Sequence, residues 1–447
     1  MQNGPMLVCG KTESGNIVLV GHHPVVDTVS WQIIERAFAA TDSSPCQPLA
    51  SWSRVVSDVA IGSHERKFWD AAIAHADAPE ISSVVGERTV KVLTRVVSAD
   101  IVQVLQQSVA PAFRTQLGSV LLAAVGASLS SESACIDVEG HGREETLHGD
   151  VSSIVGWLTT MYPVWFPTTS IVDAIKGTKE ALEAIRLDFS GGVAFGTTYG
   201  GKARSKIGFN FLGRLRAEHS AADGLVEDET VNVFHHDVEF TMFISSTNQL
   251  ILQTAFDPNH MPTIHASRLS SNIVDALASA ARLQPNVRDT LSPSDFDARG
   301  LVDQQSLDSV LNCCPATAIE TILPLTPMQQ GMLFHAMSDS VSYTTQHVLH
   351  FGQRPDLQAL QCAWSDVMTR FQALRIWVPF PTGEVPIQVV LKRADAAIRV
   401  VKSTTANFDA DLSEAANNEK RSLACNLDAF PLMRLCAVIM RRLSELC

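Results

Sequence analysis

The chain has 447 residues, of which 46% are hydrophobic and 18% are charged, and its formal net charge is −13. This length and composition predict two or three compact units with sizeable cores and argue against global disorder. The acidic balance, with no block rich in lysine and arginine, argues against nucleic-acid binding because no broad basic surface would face the phosphates.

The sequence shows no targeting segment and no membrane span. The N-terminus lacks a basic region followed by an apolar one, so we predict no signal peptide. The longest apolar run, at 117–129, is interrupted by glycine and serine and is too short to cross a bilayer. The nine cysteines contain no Cys-x-x-Cys pair, which predicts no zinc knuckle and suits a reducing compartment. We therefore expect a cytoplasmic protein that makes no membrane contact.

The first informative element is a strand that turns directly into a helix. The apolar run at 17–20 predicts a buried strand that leads into the paired His22 and His23. Asp27 or Thr28 can cap the helix that follows, in which apolar residues recur at helical spacing. The pattern therefore predicts an imidazole at the corner between a strand and a helix.

Strands and helices then alternate as far as residue 290. We predict, in chain order, a helix at 63–76, a strand at 89–97, helices at 99–109 and 113–129, strands at 135–138 and 207–212, a hairpin of strands at 238–244 and 250–255, and a helix at 266–283. Glu139, His141 and Arg143 follow the strand at 135–138 in a glycine-flanked loop. The alternation predicts the α/β fold class.

The character of the sequence changes near residue 290. Between 285 and 315, serine, proline and aspartate punctuate a polar stretch that has few large apolar residues. We interpret 291–321 as a linker. A second unit is predicted over 322–447.

With these elements placed, the chain resembles the epimerization domains of nonribosomal peptide synthetases. The resemblance rests on several segments that follow one another in the order of that family: His22 to Asp27, Glu139 to Arg143, Gly156-Trp157-Leu158-Thr159 with Tyr162-Pro163, loosely Phe195 to Gly200, and Phe209-Asn210-Phe211-Leu212-Gly213. Beyond the predicted linker, 323–335 resembles the opening of a condensation domain. The two domain types share one fold, and their succession matches the usual module order of such an assembly line.

The resemblance implies a chloramphenicol acetyltransferase-like fold of two α/β lobes. Residues 1–98 would form a partial N-terminal lobe of the epimerization domain that carries the His-His-x-x-x-Asp motif, and 99–290 would form its C-terminal lobe. Residues 322–447 would form a partial N-terminal lobe of a condensation domain. Comparison of the two units with each other predicts that the second stops before its own paired histidines and that the first lacks roughly a hundred residues.

The reaction that the resemblance implies is the L-to-D inversion of an aminoacyl or peptidyl thioester on a carrier protein's phosphopantetheine arm. The partners would be peptidyl carrier proteins upstream and downstream and an adenylation domain of the same assembly line, with no cofactor bound directly. His23 and Glu139 match the family's acid/base residues, and either one could take the α-proton. A thioester acidifies its α-carbon, so one well-placed base contributes ~10²–10⁴ in rate.

Six further residues are predicted to support the site. Asp27 would organise the corner, Arg143 and Asn210 would stabilise enolate charge, and His141 would line the same loop. His22 precedes His23 directly, and Phe211 stands where the family usually has tyrosine, so a hydroxyl is missing.

Three alternative interpretations accompany this prediction. The same histidine could serve amide bond formation by a condensation-type site, in which Glu139 would have no role. The chain could be an inert remnant that only docks carrier proteins, or Glu139 and Arg143 could form a surface ion pair. His235, His236 and Asp237 suggest a metal site, but they lack a third spaced ligand, so we predict that no metal binds.

Overall fold

The computed structural model divides into two compact units, Met1–Thr290 and Leu291–Cys447. The structure describes residues 5–11, 13, 17–39, 47–77, 88–129, 131–143, 151–200, 204–215, 226–231, 235–296, 298, 300–338, 343–379, 386–393, 397–403, 408–424 and 432–440. Each unit has its own buried apolar core. The predicted α/β class is confirmed because helices and strands alternate in both units.

The first unit is built from nine strands and nine helices among its described residues. In chain order these are β1 (Leu7–Lys11), β2 (Ile17–Gly21), α1 (Thr28–Ala39), α2 (Leu49–Asp58), α3 (Ser63–Ala74), β3 (Arg88–Val97), α4 (Ala99–Val104), α5 (Ala110–Ala112), α6 (Leu117–Ala127), β4 (Ser133–Gly140), β5 (Thr160–Pro167), α7 (Ile171–Asp188), α8 (Val193–Tyr199), β6 (Ile207–Arg214), β7 (Val226–Val231), β8 (Val238–Ile244), β9 (Leu250–Phe256) and α9 (Thr263–Ala281). A π-helical turn at Leu105–Val109 joins α4 to α5. The predicted strands at 89–97 and 207–212, the hairpin and the helices at 63–76 and 266–283 are confirmed.

Seven strands of this unit form one sheet in the order β5-β4-β6-β8-β9-β3-β7. The central pairs β4–β6 and β6–β8 are parallel, and the other pairs are antiparallel. Helix α6 packs against α7 and α9, and its sequence is apolar on all sides because the helix is buried from Ser119 to Gly126. The parallel centre of the sheet therefore lies against a buried helical layer.

Three local predictions for this unit need correction. Strand β2 is not buried: it pairs with β1 in a separate two-stranded ribbon, and Ile17 and Val20 are largely exposed. The helix predicted from residue 113 begins at Leu117, because Arg114 takes a positive φ of 51° that a helix does not allow. Glu139 does not lie in a loop but within β4, one residue before the strand ends.

The second unit contains a small mixed set of elements. They are α10 (Gln304–Cys313), β10 (Ile319–Pro324), α11 (Pro327–Ser338), α12 (Leu357–Arg370), β11 (Ile376–Trp377), β12 (Ile387–Leu391), β13 (Ile398–Ser403), α13 (Phe408–Ala424) and β14 (Leu435–Met440). Strand β12 pairs antiparallel with β10 and β11, and β13 pairs parallel with β14.

The segment predicted as the linker, 291–321, is a packed part of this second unit. Leu291, Phe296 and Val310 are buried in its core together with side chains of β10 and β12. Asp303 caps α10 by accepting a hydrogen bond from the amide of Ser306. The polar residues that favoured a linker are therefore caps and turn residues of a folded segment, because both uses select serine, aspartate and proline.

No single helix among the described residues is long and apolar enough to cross a membrane. The bent pair formed by Ala99–Ala112 and Leu117–Ala127 passes the same test of length and composition. Most of its apolar side chains lie in the core of the first unit.

Candidate active site

A cavity of about 500 Å³ in the first unit brings together most of the predicted site residues. Its lining includes His23, Asp27, Glu139, His141, Asn210 and Phe211. They come from the corner before α1, from β4 and the turn after it, and from β6. Neither His22 nor Arg143 belongs to the described lining. This volume lies within the range of pockets that hold small molecules.

The corner before α1 fixes the imidazole of His23. Its Nδ1 lies 2.9 Å from the carbonyl oxygen of Val26. Because a carbonyl oxygen only accepts, Nδ1 carries the hydrogen and Nε2 of the neutral ring keeps its lone pair. The ring stacks on Trp157 with centroids 5.3 Å apart and an interplanar angle of 16°. Both contacts orient the imidazole of His23, and Trp157 was not among the predicted site residues.

Asp27 forms a buried, two-pronged ion pair with Arg143. The Arg143 Nη1 donates to Asp27 Oδ2 at 2.7 Å, and Nη2 donates to Oδ1 at 2.9 Å. Asp27 also accepts hydrogen bonds from the backbone amides of Ser30 and Leu158. Burial alone would raise the pKa of Asp27, but these hydrogen bonds outweigh it and hold that pKa below its usual value. Asp27 therefore stays ionised and ties α1 to the segment after β4.

The placement of Arg143 corrects its predicted role. Its guanidinium donates to Asp27 and to the carbonyl oxygens of His141, Ile154 and Gly156, so its donors are engaged by the protein itself. It is almost fully buried, and its carboxylate partner is Asp27 rather than Glu139. The interpretation of Glu139 and Arg143 as a surface ion pair is therefore wrong.

A tight turn at Gly142 precedes Arg143. Gly142 has a φ of +65°, and a Cβ there would lie 1.8 Å from the carbonyl oxygen of Leu158. Glycine is therefore required at this position. The turn points the guanidinium back beneath the corner before α1.

Glu139 lines the same cavity but has a different environment. Its Oε2 accepts a hydrogen bond from the side-chain amide of Asn210 on the neighbouring strand β6. The carboxyl is open to water within the cavity, yet the concave wall around it removes much of its solvation. This burial, together with the charge of Glu239, raises the pKa of Glu139 above its usual value, although His236, His23 and Asn210 act against the rise.

The remaining predicted residues take lesser positions. His141 lines the cavity, and its Nδ1 accepts a hydrogen bond from the backbone amide of Arg143 at 3.0 Å. Phe211 lines the cavity and packs against the core. His22 is exposed, and its backbone amide donates to the carbonyl of Met6, so its part is in the strand corner rather than in the cavity.

Lys179 is a cavity residue that the sequence analysis missed. It lies on α7, lines the cavity and is almost fully buried. Helix α7 was not predicted, although Ser170 accepts a hydrogen bond from the amide of Asp173 and forms an N-cap that the sequence offers. The apolar spacing of Ile171, Ile175 and Leu182 would have supported the helix.

The structure describes no group of three His, Cys, Asp or Glu side chains that could hold a metal ion. His235 is exposed, whereas the adjacent His236 is buried. The two histidines therefore do not face one point, as metal ligands would have to do.

The chain is similar along most of its length to large peptide synthases. It is 29% identical to a linear gramicidin synthase of Brevibacillus parabrevis over 479 residues, which cover 95% of this chain and 9% of that protein. It is 25% identical to bacitracin synthase 3 of Bacillus licheniformis over 470 residues, which cover 94% of this chain and 7% of that protein. The chain thus spans less than a tenth of the length of these curated relatives.

Similarity also extends to solved structures and to a family model. The epimerization domain from the third module of tyrocidine synthetase B aligns with a TM-score of 0.49 and 20% identity, over 62% of this chain and 72% of that one. The first condensation domain of the calcium-dependent antibiotic synthetase aligns with a TM-score of 0.44 and 16% identity, over 63% and 68%. The condensation domain model matches residues 6–188 and 319–444, more than half of the chain and parts of both units. The chain therefore belongs to the condensation domain family.

Proposed function

We propose that the first unit inverts the α-carbon of an aminoacyl or peptidyl thioester, from L to D, in nonribosomal peptide synthesis. The thioester would arrive on the phosphopantetheine arm of a carrier protein, with an adenylation domain of the same assembly line supplying the amino acid. The observation that carries the proposal is that His23 and Glu139, an imidazole and a carboxyl group, line one cavity. The peptide synthases among the relatives agree with a peptide substrate.

His23 is suited to take the α-proton of the L substrate. Its Nδ1 hydrogen is held by the Val26 carbonyl, which leaves Nε2 as the basic atom. Removal of the proton leaves an enolate, in which the carbon's electron pair is delocalised onto the thioester oxygen. His23 then carries the positive charge, and its stacking on Trp157 keeps the ring in place.

Glu139 is suited to return a proton to the opposite face of the carbon. Its raised pKa favours the protonated acid, and the side-chain amide of Asn210 donates a hydrogen bond to its Oε2. Delivery of its proton to the enolate carbon gives the D thioester and leaves a carboxylate. Exchange with water resets both groups, so the overall step consumes no co-reactant. In the reverse direction Glu139 takes the proton and His23 returns it.

A second candidate is amide bond formation at the same histidine. It is favoured by the matching condensation domain model and by Phe211, which lacks a hydroxyl that could assist at the cavity. That reaction would use the free Nε2 of His23 on an attacking amine and would leave Glu139 without a task. The two candidates therefore differ in their dependence on Glu139.

Deuterium washout separates the candidates. A panel of L- and D-aminoacyl carrier proteins with deuterium at the α-carbon is incubated with the full chain, and loss of the label is followed by mass spectrometry. In Glu139→Gln we expect washout from the D substrates to fall by ~10²–10⁴, whereas washout from the L substrates by His23 persists.

The control is Glu183→Gln, which removes a carboxylate that lines the cavity from α7. This variant is expected to exchange at the rate of the unmodified chain. Equal D washout in Glu139→Gln and the unmodified chain would contradict the proposal, and amide formation without washout would favour condensation. An absence of both activities would favour a docking remnant.

A further inference from the structure

A row of charged side chains, of which Asp137 and His236 are buried and Glu239 is half-buried, crosses the sheet beside Glu139. Asp137 of β4 is paired in register with Gly208 of β6, which is paired in turn with Glu239 of β8. The imidazole of His236 bridges the two carboxylates: Nε2 lies 3.1 Å from Asp137 Oδ2, and Nδ1 lies 2.8 Å from Glu239 Oε1. We call Asp137, His236 and Glu239 the charged row.

Gly208 creates the space in which His236 lies. A Cβ at position 208 would approach Nδ1 of the imidazole to 2.7 Å, which is closer than real Cβ contacts. The ring therefore occupies the position that a side chain at residue 208 would otherwise fill. A histidine in this place is built into the sheet and is not an incidental surface group.

The hydrogen-bond pattern fixes the charge of His236. Both ring nitrogens face carboxylate oxygens, and a carboxylate only accepts, so both nitrogens donate and the ring is an imidazolium. Asp137 Oδ2 also accepts hydrogen bonds from the backbone amides of Arg204 and Ser205. Burial would lower the pKa of His236, but the two carboxylates outweigh this and raise it to about 9. With two carboxylates and one imidazolium, the charged row carries one net negative charge.

The register of the sheet sets the charged row next to Glu139. Side chains two residues apart on a strand point to the same face at a spacing of about 6.6 Å. Asp137 and Glu139 have this relation on β4, and Gly208 and Asn210 have it on β6. Both His236 and Glu239 act electrostatically on Glu139, with opposite signs.

We propose that His236 is a positioning residue for Glu139: it neutralises one of the two carboxylates in the charged row and so sets the charge against which Glu139 holds its proton. This role rests on the proposed function of Glu139. The other groups that face Glu139 are His23 from the corner before α1 and Asn210 from β6. Lys179, Glu183 and Arg186 line the same cavity from α7.

The test is an NMR titration that needs no substrate. The side-chain carboxyl of Glu139 is followed against pH in the full chain labelled with ¹³C-glutamate, and Glu139→Gln assigns the signal. In His236→Gln the charged row gains net negative charge, so the titration midpoint of Glu139 should move up. In Glu239→Gln the row loses negative charge, so the midpoint should move down. We expect the two variants to differ by about one pH unit or more.

The matched control is His235→Gln, which removes the exposed neighbouring imidazole and should leave the midpoint unchanged. A merely structural role for His236 would not move the midpoint in opposite directions in the two charged-row variants. Midpoints that stay fixed, or that move together, would overturn the proposal. If His236→Gln does not fold, as judged by circular dichroism, His236→Asn is titrated in its place, and the same upward shift is expected.

The outcome is separable from that of the proposed function. Opposite midpoint shifts together with an unchanged washout rate in Glu139→Gln would keep the role of His236 and remove the epimerization proposal. The reverse combination would keep the epimerization proposal and remove the role of His236.

Discussion

Two of the carboxylates that line the cavity, Asp27 and Glu139, have pKa values that their surroundings shift in opposite directions. Asp27 is buried against the guanidinium of Arg143 and two backbone amides, so its pKa is lowered. Glu139 meets a neutral amide and lies beside the charged row, so burial and Glu239 raise its pKa. The same chemical group is therefore a fixed structural charge in one place and, in the proposed function, a proton donor in the other. The difference comes from the partner each carboxylate receives and not from its own chemistry.

The largest expected effect is a loss of stability when Asp27 is deprived of its cation. Arg143→Met leaves Asp27 as a buried charge without its cation and leaves several carbonyl oxygens without a donor. We expect the free energy of unfolding of the first unit to fall by about 3–5 kcal/mol. Urea denaturation measures it, with the transition of the first unit fitted separately.

The control for this prediction is Arg186→Met, which breaks the exposed pair of Arg186 and Glu183. Its cost should stay below about 1 kcal/mol because water screens that pair. An equal cost for both variants would mean that the buried pair does not hold the corner.

The second expected effect is a pH dependence of stability that arises from His236, beside Glu139. The folded pKa of His236 is raised to about 9 from 6.5, so its stabilisation is complete below pH 6.5 and is lost as the pH rises through 9. We expect the free energy of unfolding to fall by roughly 3 kcal/mol across that window. In His236→Gln this alkaline fall should disappear, and its persistence would contradict the assignment.

The same measurement at acid pH should report the stabilisation that Asp27 contributes. The folded pKa of Asp27 is lowered, so its stabilisation is present above the unfolded pKa and is lost as the pH falls through the folded value. Urea denaturation of Asp27→Asn and the unmodified chain as the solution is acidified measures this. The stabilisation by His236 should therefore be lost at alkaline pH, and the stabilisation by Asp27 should be lost at acid pH.

The third expected effect is the stability cost of steric crowding at the charged row. Gly208→Ala places a methyl group against the imidazole of His236 and should cost about 1–3 kcal/mol. Thermal unfolding measures it, with Gly196→Ala as the control, because a Cβ there meets nothing within 4 Å. If Gly208→Ala is as stable as the control, the imidazole can relax and the close approach is not essential.

The smallest effect concerns the orientation of His23. Trp157→Ala removes the stacked ring and should change the free energy of unfolding by only about 0.5–1.5 kcal/mol, while slowing deuterium washout from the L substrates. Trp165→Ala is the matched control, because Trp165 stacks on His75, which does not line the described cavity. Equal washout rates in the two variants would show that stacking does not position His23.

The sequence predicted the local helices and strands better than it predicted what packs against them. Strand β6 and the hairpin of β8 and β9 follow from apolar runs and turn residues, and these signals lie within a few positions of one another. The burial of β2 and the linker at 291–321 were predicted wrongly. An apolar strand or a run of serine and proline does not say what packs against it.

The sequence by itself determined which groups are available: an imidazole before a helix, a carboxylate near the end of a strand, and the glycines that permit close approach. Only the tertiary structure decided their partners. Arg143 reaches Asp27 across 116 positions of sequence, and His236 joins Asp137 across 99. The environment of His236 depends on how β4, β6 and β8 align, because the register places Asp137, Gly208 and Glu239 side by side although they share no local pattern. Since the partner sets the pKa, the chemistry of each carboxylate became readable only in the folded chain.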